Sequence, residues 1–330
     1  MISRKTTEKA MDFATFEDLQ LCLQNLYHDG DYKAALELAS EHFCDFPDNK
    51  ALLYYWRMSM AARTGNDRQT FQILEEALSD GIWYGEGFLR KSPSLISLQG
   101  KPVFENLIDK NNNLAKKDQQ RLFPLFTLRP QGCCQPGSTP CGLLLGLHAN
   151  LSNVQGSIGF WKSAASAGWL VAAPQSTQPV WKDAYVWDDR EVARKDINNH
   201  FATLCEGYSI DQERIILAGH SMGGEIALWL ALKGDIQTRG FIAIEPTGPF
   251  MDEYKSWKPL IDDNPNENLR GYIILGEPDS SIQHDNIHKL EKLLQKGNIA
   301  CQVDIVQNAG HDFSSPYENS ILRGLDYILS

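Results

Sequence analysis

The 330-residue sequence is constrained most by a short motif, Gly-His-Ser-Met-Gly, at residues 219–223. An apolar run of strand length at residues 214–218 precedes the motif, and a helical pattern follows it. Where a strand turns sharply into a helix, the two backbones come together, and only glycine two residues before and after the serine avoids a clash. The motif therefore predicts a strained turn that presents the Ser221 hydroxyl and sets the Met222 N–H at a helix N-terminus.

A serine hydroxyl is a weak nucleophile at neutral pH, so Ser221 needs a histidine that accepts its proton. Three of the eight histidines follow Ser221 in the chain. His284 and His288 lie in a polar, amphipathic helical stretch and are expected at the surface. His311 follows a short strand pattern, in a loop where Gly310 lets the backbone present the ring. We therefore predict that His311 is the general base.

The histidine in turn needs a carboxylate that orients its ring. An apolar run at residues 272–275 leads to Asp279, which we predict to be this acid. Two other carboxylates stay open: Glu277 lies two residues earlier, before a proline, and Glu245 ends the strand before. Separate substitution of the three side chains would distinguish them.

The two halves of the chain have different patterns. Residues 12–108 have helical apolar spacing, and Gly30 and Gly65 open two similar segments about 35 residues apart, close to the tetratricopeptide period. From about residue 120, apolar runs of strand length alternate with helical stretches, which predicts a mainly parallel sheet with helices on both faces. The six predicted strands are at residues 143–147, 169–173, 214–218, 241–244, 272–275 and 301–305. Residues 109–121 are polar and have linker or helix-end composition. We predict an all-α helical-repeat domain at residues 1–120 and an α/β domain at residues 121–330.

The segments around Ser221, Asp279 and His311 resemble the α/β-hydrolase superfamily, and within it the dienelactone hydrolase and phospholipase/carboxylesterase-like branch. The resemblance spans residues 122–330. It implies an α/β-hydrolase fold with about eight strands, catalysis through an acyl-enzyme, and no metal or organic cofactor. The region before it resembles one good and one degenerate tetratricopeptide repeat, which would bind a partner protein, mediate self-association or pack as an ordinary helical bundle.

The resemblance also implies a second oxyanion donor in the loop after the strand at residues 143–147. The loop His148-Ala149-Asn150-Leu151 resembles the His-Gly-containing loop of these enzymes, with Ala149 in place of glycine. We predict that the Asn150 N–H is this donor, together with the Met222 N–H. For His148, a core or turn role stays open beside a catalytic one.

Charge and cysteine content limit the partners. The net charge of -11 disfavours nucleic acid and anionic membranes, and no signal peptide or membrane-spanning segment is recognisable, so we expect a cytoplasmic protein. Seven cysteines make a disulfide framework unexpected and favour reduced thiols. Cys133, Cys134 and Cys141 form a cluster, but a fourth metal ligand is not evident, so no metal site is predicted.

The predicted activity is hydrolysis of small carboxylic esters. The substrate pocket is not readable, although six residues could form a pocket or lid or else belong to the core: Trp181, Tyr185, Trp187, Pro249, Phe250 and Trp257. Two other functions stay open. One is a serine peptidase that acts on short peptides, and the other is a partner-binding protein on an inactive hydrolase scaffold.

Overall fold

The structure is a computed structural model that describes residues 13–119, 124–130, 132, 134–266, 268–277, 284–309 and 317–330. The chain divides into two compact units, Met1–Arg121 and Leu122–Ser330. Four residues named above, Cys133, Asp279, Gly310 and His311, lie outside the described residues. No helix in the described ranges combines the length and apolarity that a membrane span requires.

The first unit is helical in its described part. Its helices are α1 (Phe16–His28), α2 (Tyr32–Glu41), α3 (Lys50–Arg63), α4 (Asp67–Ser79), α5 (Glu86–Lys91) and α6 (Pro102–Gln119). Gly30 and Gly65, both with φ +78°, lie in the turns after α1 and α3, as predicted. Asp31 and Asn66 then cap the next helices by accepting backbone N–H groups. The helices that follow Gly30 and Gly65 begin at the spacing that the sequence repeat predicts. The assignment of this region as tetratricopeptide repeats stays a prediction.

Helix α6 runs through residues 109–119, so of the two interpretations of this polar stretch, the helix end is confirmed and the linker is wrong. Asn111 is fully buried, and its side chain satisfies the backbone of Tyr84. The Asn111 Oδ1 accepts the Tyr84 N–H at 2.8 Å, and its Nδ2 donates to the Tyr84 carbonyl at 2.7 Å. A buried side-chain amide whose donor and acceptor are both hydrogen-bonded stabilises this part of α6, although residues 109–119 have the composition of a loop.

The second unit contains a seven-stranded sheet in its described part. The strands are β1 (Leu125–Leu128), β2 (Cys141–Leu147), β3 (Leu170–Pro174), β4 (Gln178–Trp181), β5 (Ala184–Val186), β6 (Ile210–His220), β7 (Gly240–Ile244), β8 (Arg270–Glu277) and β9 (Ala300–Gln307). The sheet order is β1-β3-β2-β6-β7-β8-β9, and β4 pairs with β5 separately. Only β1 is antiparallel to its neighbour in the seven-stranded sheet. The six predicted strands are confirmed, whereas β1, β4 and β5 were not predicted.

Helices cover both faces of the sheet. They are α7 (Val154–Ser157), α8 (Lys162–Ser166), α9 (Arg190–Gly207), α10 (Met222–Lys233), α11 (Pro249–Asp252), α12 (Lys258–Asp262), α13 (His284–Lys296) and α14 (Glu318–Leu329). Alternate residues of β6 enter opposite cores: Ile215 and Leu217 pack with α9, α10 and α13, and Ile216 and Ala218 pack with α8 and α14. A parallel sheet buried on both faces places the carboxyl ends of its strands along one edge.

Cys134 and Cys141 form a disulfide, so the prediction of reduced thiols is wrong for this pair. A tight turn, in which the Ser138 N–H donates to the Gln135 carbonyl at 2.9 Å, brings their Cα atoms to 5.3 Å. That separation lies within the usual range for a bridge. Among the described residues, no group of three or more His, Cys, Asp or Glu could hold a metal ion.

Candidate active site

Ser221 lies in the strained turn between β6 and α10. Its backbone has φ 54° and ψ −125°, a conformation that costs a non-glycine residue roughly 1–3 kcal/mol. The Ser221 N–H donates to the Ile244 carbonyl at 2.9 Å, which anchors the turn to the end of the neighbouring strand β7. The predicted strained turn is confirmed, and it places Ser221 at the N-terminus of α10.

Close backbone approach explains the two outer glycines of the motif. A Cβ on Gly219 would lie 2.1 Å from the Gly223 carbonyl oxygen. A Cβ on Gly223 would lie 2.5 Å from the His148 carbonyl oxygen, in the loop after β2. Neither neighbour is a flexible side-chain end, so any other residue would force the turn open.

The Ser221 hydroxyl contacts a residue that the sequence did not indicate. Its Oγ lies 2.8 Å from the Thr247 Oγ1, and the Thr247 N–H donates to the Ser221 carbonyl at 3.3 Å. Thr247 follows β7, which pairs in parallel with β6 up to His220 and Ile244. The segment after β7 therefore meets the segment after β6, a juxtaposition that strand order alone could have suggested.

The two predicted oxyanion donors lie beyond the carboxyl ends of adjacent strands. Met222 is the first residue of α10, and its Sδ accepts the Trp187 N–H at 3.4 Å. Asn150 is exposed in the loop after β2, three residues beyond Leu147, which pairs with Gly219 of β6. Backbone N–H groups at a helix N-terminus favour negative charge. The described geometry is thus compatible with both donors.

His148 fixes the start of the loop after β2. Burial lowers its pKa to about 4, so the ring is neutral at neutral pH. Its Nδ1 donates to the Ala149 carbonyl at 2.8 Å, and its Nε2 accepts the Ser176 N–H at 3.3 Å. A ring with both nitrogens held by backbone groups positions the loop, so the turn role left open by the sequence is the one that the contacts favour.

The two described carboxylate candidates differ in environment. Glu277, the last residue of β8, is exposed, and its Oε2 accepts from the Gln307 Nε2. Glu245, directly after β7, is fully buried and has φ 44°. Its Oε1 accepts the Tyr317 O–H at 2.7 Å and also the Gly276 N–H. Of the two carboxylate candidates that the structure describes, Glu245 is the buried one, at the carboxyl end of β7.

A buried ion pair ties α9, α10 and the segment after β7 together. Glu225, in the first turn of α10, is 1% exposed and pairs with Arg190 of α9. Its Oε2 accepts the Phe250 N–H at 3.0 Å and the Met251 N–H at 3.3 Å. The Arg190 guanidinium also lies 3.8 Å from the centre of the Phe250 ring. Burial raises the pKa of Glu225, although Arg190 and the two N–H groups oppose that shift.

The aromatic residues proposed for a pocket or lid belong partly to the core. Tyr185, Trp187 and Trp257 are buried, and the Trp187 Nε1 donates to the His148 carbonyl at 2.9 Å. Trp181 and Phe250 are partly buried. Trp187 therefore supports the loop that carries Asn150, which is a packing role close to the site.

The fold and the Ser221 turn define the second unit as an α/β-hydrolase domain. Residues 170–326 match the model of the dienelactone hydrolase family, and residues 18–119 match the A/B hydrolase-like N-terminal domain. No curated protein matches the chain significantly. The family match supports hydrolase activity, and the resemblance drawn from the Ser221 motif is confirmed.

Solved structures show the same fold. The chain is similar to an uncharacterised protein from Bacillus cereus, with 22% identity and a TM-score of 0.52 over 96% of this chain and 99% of that one. It is also similar to the esterase PE8, with 16% identity and a TM-score of 0.51 over 62% of this chain and 97% of that one. The first similarity extends over both units.

Proposed function

We propose that this chain is a serine hydrolase that cleaves carboxylic esters through an acyl-enzyme intermediate. The observation that carries the proposal is Ser221, held in a strained turn at the N-terminus of α10. Strain of this kind is found where a side chain must be presented for function. The match to the dienelactone hydrolase family supports hydrolysis as the reaction.

In the proposed mechanism, His311 takes the proton of the Ser221 hydroxyl as the oxygen attacks the ester carbonyl. The oxyanion that forms is stabilised by the N–H groups of Met222 and Asn150, and each such donor contributes about 3 kcal/mol to the barrier reduction. His311 then protonates the leaving alcohol, and the acyl group stays on Ser221. Water, activated by the same histidine, releases the acid in a second cycle.

The test is covalent labelling with a fluorophosphonate probe, combined with turnover of short-chain p-nitrophenyl esters. We expect the wild type to be labelled and Ser221→Ala to be unlabelled, with turnover lower by at least about 1,000-fold. Ser138→Ala is the matched control, because Ser138 is a partly exposed loop serine of the same unit. It should be labelled like the wild type.

A folded wild type that is neither labelled nor able to hydrolyse any ester would contradict the proposal and favour an inactive scaffold. Faster cleavage of short peptide p-nitroanilides than of esters would instead favour the peptidase alternative. Binding of a partner protein by the first unit, or its self-association, stays a prediction. The cytoplasmic location also stays a prediction, and the Cys134–Cys141 disulfide bears on it because disulfides are uncommon in the cytosol.

A further inference from the structure

Trp187 is hydrogen-bonded to both segments that carry the predicted oxyanion donors. It directly follows β5 and is 1% exposed. Its indole Nε1 donates to the carbonyl of His148, the first residue of the loop after β2, at 2.9 Å. Its backbone N–H donates to the Sδ of Met222, the first residue of α10, at 3.4 Å. One residue therefore joins the loop that bears Asn150 to the helix that begins with Met222.

The loop after β2 and the first turn of α10 meet at their backbones. A Cβ on Gly223 would lie 2.5 Å from the His148 carbonyl oxygen and 2.6 Å from the Leu147 carbonyl oxygen. A buried carbonyl group requires a hydrogen-bond donor, and a peptide group that loses its donor tends to turn towards another one. The Trp187 indole N–H supplies a donor to the His148 carbonyl at the point of contact between loop and helix.

Two consecutive peptide groups at the start of this loop are held by side chains. The His148 carbonyl accepts from the Trp187 indole, and the Ala149 carbonyl accepts from the His148 Nδ1 at 2.8 Å. In a trans peptide group the N–H points in the direction opposite to the carbonyl. The Asn150 N–H shares its peptide group with the Ala149 carbonyl, so it points away from the His148 ring. The direction of this predicted oxyanion donor is therefore set by the contacts of His148.

The Trp187 ring also holds the His148 ring. The centres of the two rings are 4.7 Å apart, and their planes are inclined by 32°. The His148 Nε2 accepts the Ser176 N–H at 3.3 Å, and the Ser176 hydroxyl donates to the carbonyl of Val186, the residue before Trp187. Trp187 therefore fixes the first peptide group of the loop through its N–H and the second through the ring of His148.

We propose that Trp187 is a positioning residue that keeps the two oxyanion donors aimed at one point. This inference rests on the proposed serine hydrolase function. Donors lower the barrier only when they are fixed in advance at the position where the negative oxygen forms. Trp187 touches no reacting atom, and it acts by holding the loop that bears Asn150 against the start of α10. Because the same donors face the oxyanion in both half-reactions, losing this support slows acylation and deacylation together.

The test is Trp187→Phe, which keeps an aromatic ring and removes the indole N–H. For p-nitrophenyl acetate we expect kcat to fall about 10- to 100-fold and KM to change by less than about threefold, because both half-reactions lose the same stabilisation. A trifluoromethyl ketone, which the Ser221 hydroxyl attacks to form a tetrahedral adduct, should bind more weakly by about the factor by which kcat/KM falls. The pH profile of kcat/KM should keep its position, since W187F removes no charge.

The matched control is Trp161→Phe. Trp161 is also 1% exposed, and its Nε1 has no hydrogen-bond partner in the described part of the chain. The same change of ring there removes packing but no hydrogen bond, so kcat and the affinity for the ketone should stay within about threefold of the wild type. Urea unfolding shows whether each variant is folded. If W187F does not fold, benzothienylalanine in place of Trp187 keeps the shape of the indole, replaces its N–H by sulfur and is judged by the same criteria.

The inference is overturned if folded W187F keeps kcat within about threefold of the wild type, if its kcat falls while the ketone binds as before, or if W161F loses as much kcat as W187F. The first result would mean that the indole N–H has no part in the reaction, and the other two would mean that Trp187 contributes packing alone. Failure of the proposed function would look different, because the wild type itself would then resist the fluorophosphonate probe and form no adduct with the ketone.

Discussion

The turns after β6 and β7 are neighbours, and each contains one strained residue with a side chain, Ser221 at φ 54° and Glu245 at φ 44°. The first turn continues at once into α10, so its backbone is packed against other backbone and requires Gly219 and Gly223. The second continues into a loop and is held instead by donors from Gly276 and Tyr317. A strained residue can therefore be held by local packing or by distant hydrogen bonds.

Side-chain contacts join the turn after β6 to the segment after β7. Thr247, after β7, meets the Ser221 hydroxyl, and Glu225, in α10, accepts the N–H groups of Phe250 and Met251. A substitution in one turn should therefore affect the other. The loss of stability or activity should depend on whether local backbone packing or a distant hydrogen bond is removed.

The largest expected effect comes from Gly219→Ala. The new methyl group would meet the Gly223 carbonyl at 2.1 Å, and we expect a loss of about 3 kcal/mol or more in the free energy of unfolding. Fluorophosphonate labelling should be abolished, because the turn cannot hold Ser221 in place. Gly207→Ala, at the last position of α9 with open space around it, should fold and label like the wild type. A stable, active G219A would show that the first turn does not depend on local packing.

The same contrast determines what could be predicted from the sequence. The Ser221 turn and the six strands were predicted because their causes, close glycines and short apolar runs, are local. Thr247, Arg190 and Tyr317 were not found because they pair with residues 26, 35 and 72 positions away. Glu245 could be considered only as one of three carboxylates, since its burial depends on strand order, and Asp279 and His311 remain predictions.

Arg190→Met should have the next largest effect, because it removes the cation from a carboxylate that is 1% exposed. Because the Arg190 side chain is itself 22% exposed, we expect a loss of about 2 to 3 kcal/mol in the free energy of unfolding near pH 8. The pKa of Glu225 is already raised by burial and would rise further, so the folded state would favour the protonated carboxyl. The loss should therefore be smaller at low pH and grow as the pH rises above the ordinary carboxyl range.

The control for this variant is Arg194→Met, one turn along α9. Its ion pairs with Asp235 and Glu191 are partly exposed, so the loss should stay below about 1 kcal/mol. Urea unfolding of both variants at pH 5 and pH 8 provides the measurement. Equal losses in the two variants, or a loss in R190M that does not depend on pH, would contradict a structural role for the buried pair.

The buried ring of His148 leads to a prediction about how stability depends on pH. His148 begins the loop after β2, which is the other neighbour of the Ser221 turn. Its pKa of about 4 in the folded protein lies below the 6.5 expected when it is unfolded. The unfolded state therefore binds the proton first as the pH falls, and stability should decrease from about pH 6.5 down to pH 4, by about 3 kcal/mol in all. Urea unfolding across this range should give a shallower pH dependence for His148→Gln than for the wild type. If the free energies of unfolding of the wild type and His148→Gln changed in parallel with pH, a buried, neutral His148 ring would be ruled out.

Thr247→Val should have the smallest effect, since it removes one hydroxyl and keeps the shape of the side chain. The hydrogen bond to the Ser221 Oγ is lost, and we expect kcat/KM for p-nitrophenyl acetate to fall about three- to tenfold, which corresponds to about 1 kcal/mol. Thr247→Ser keeps the hydroxyl and should stay close to the wild type. An unchanged kcat/KM in T247V would mean that the Thr247 hydroxyl does not help to hold the nucleophile. A loss as large as that of Ser221→Ala would instead mean that the turn after β7 contributes a hydroxyl which the reaction itself requires.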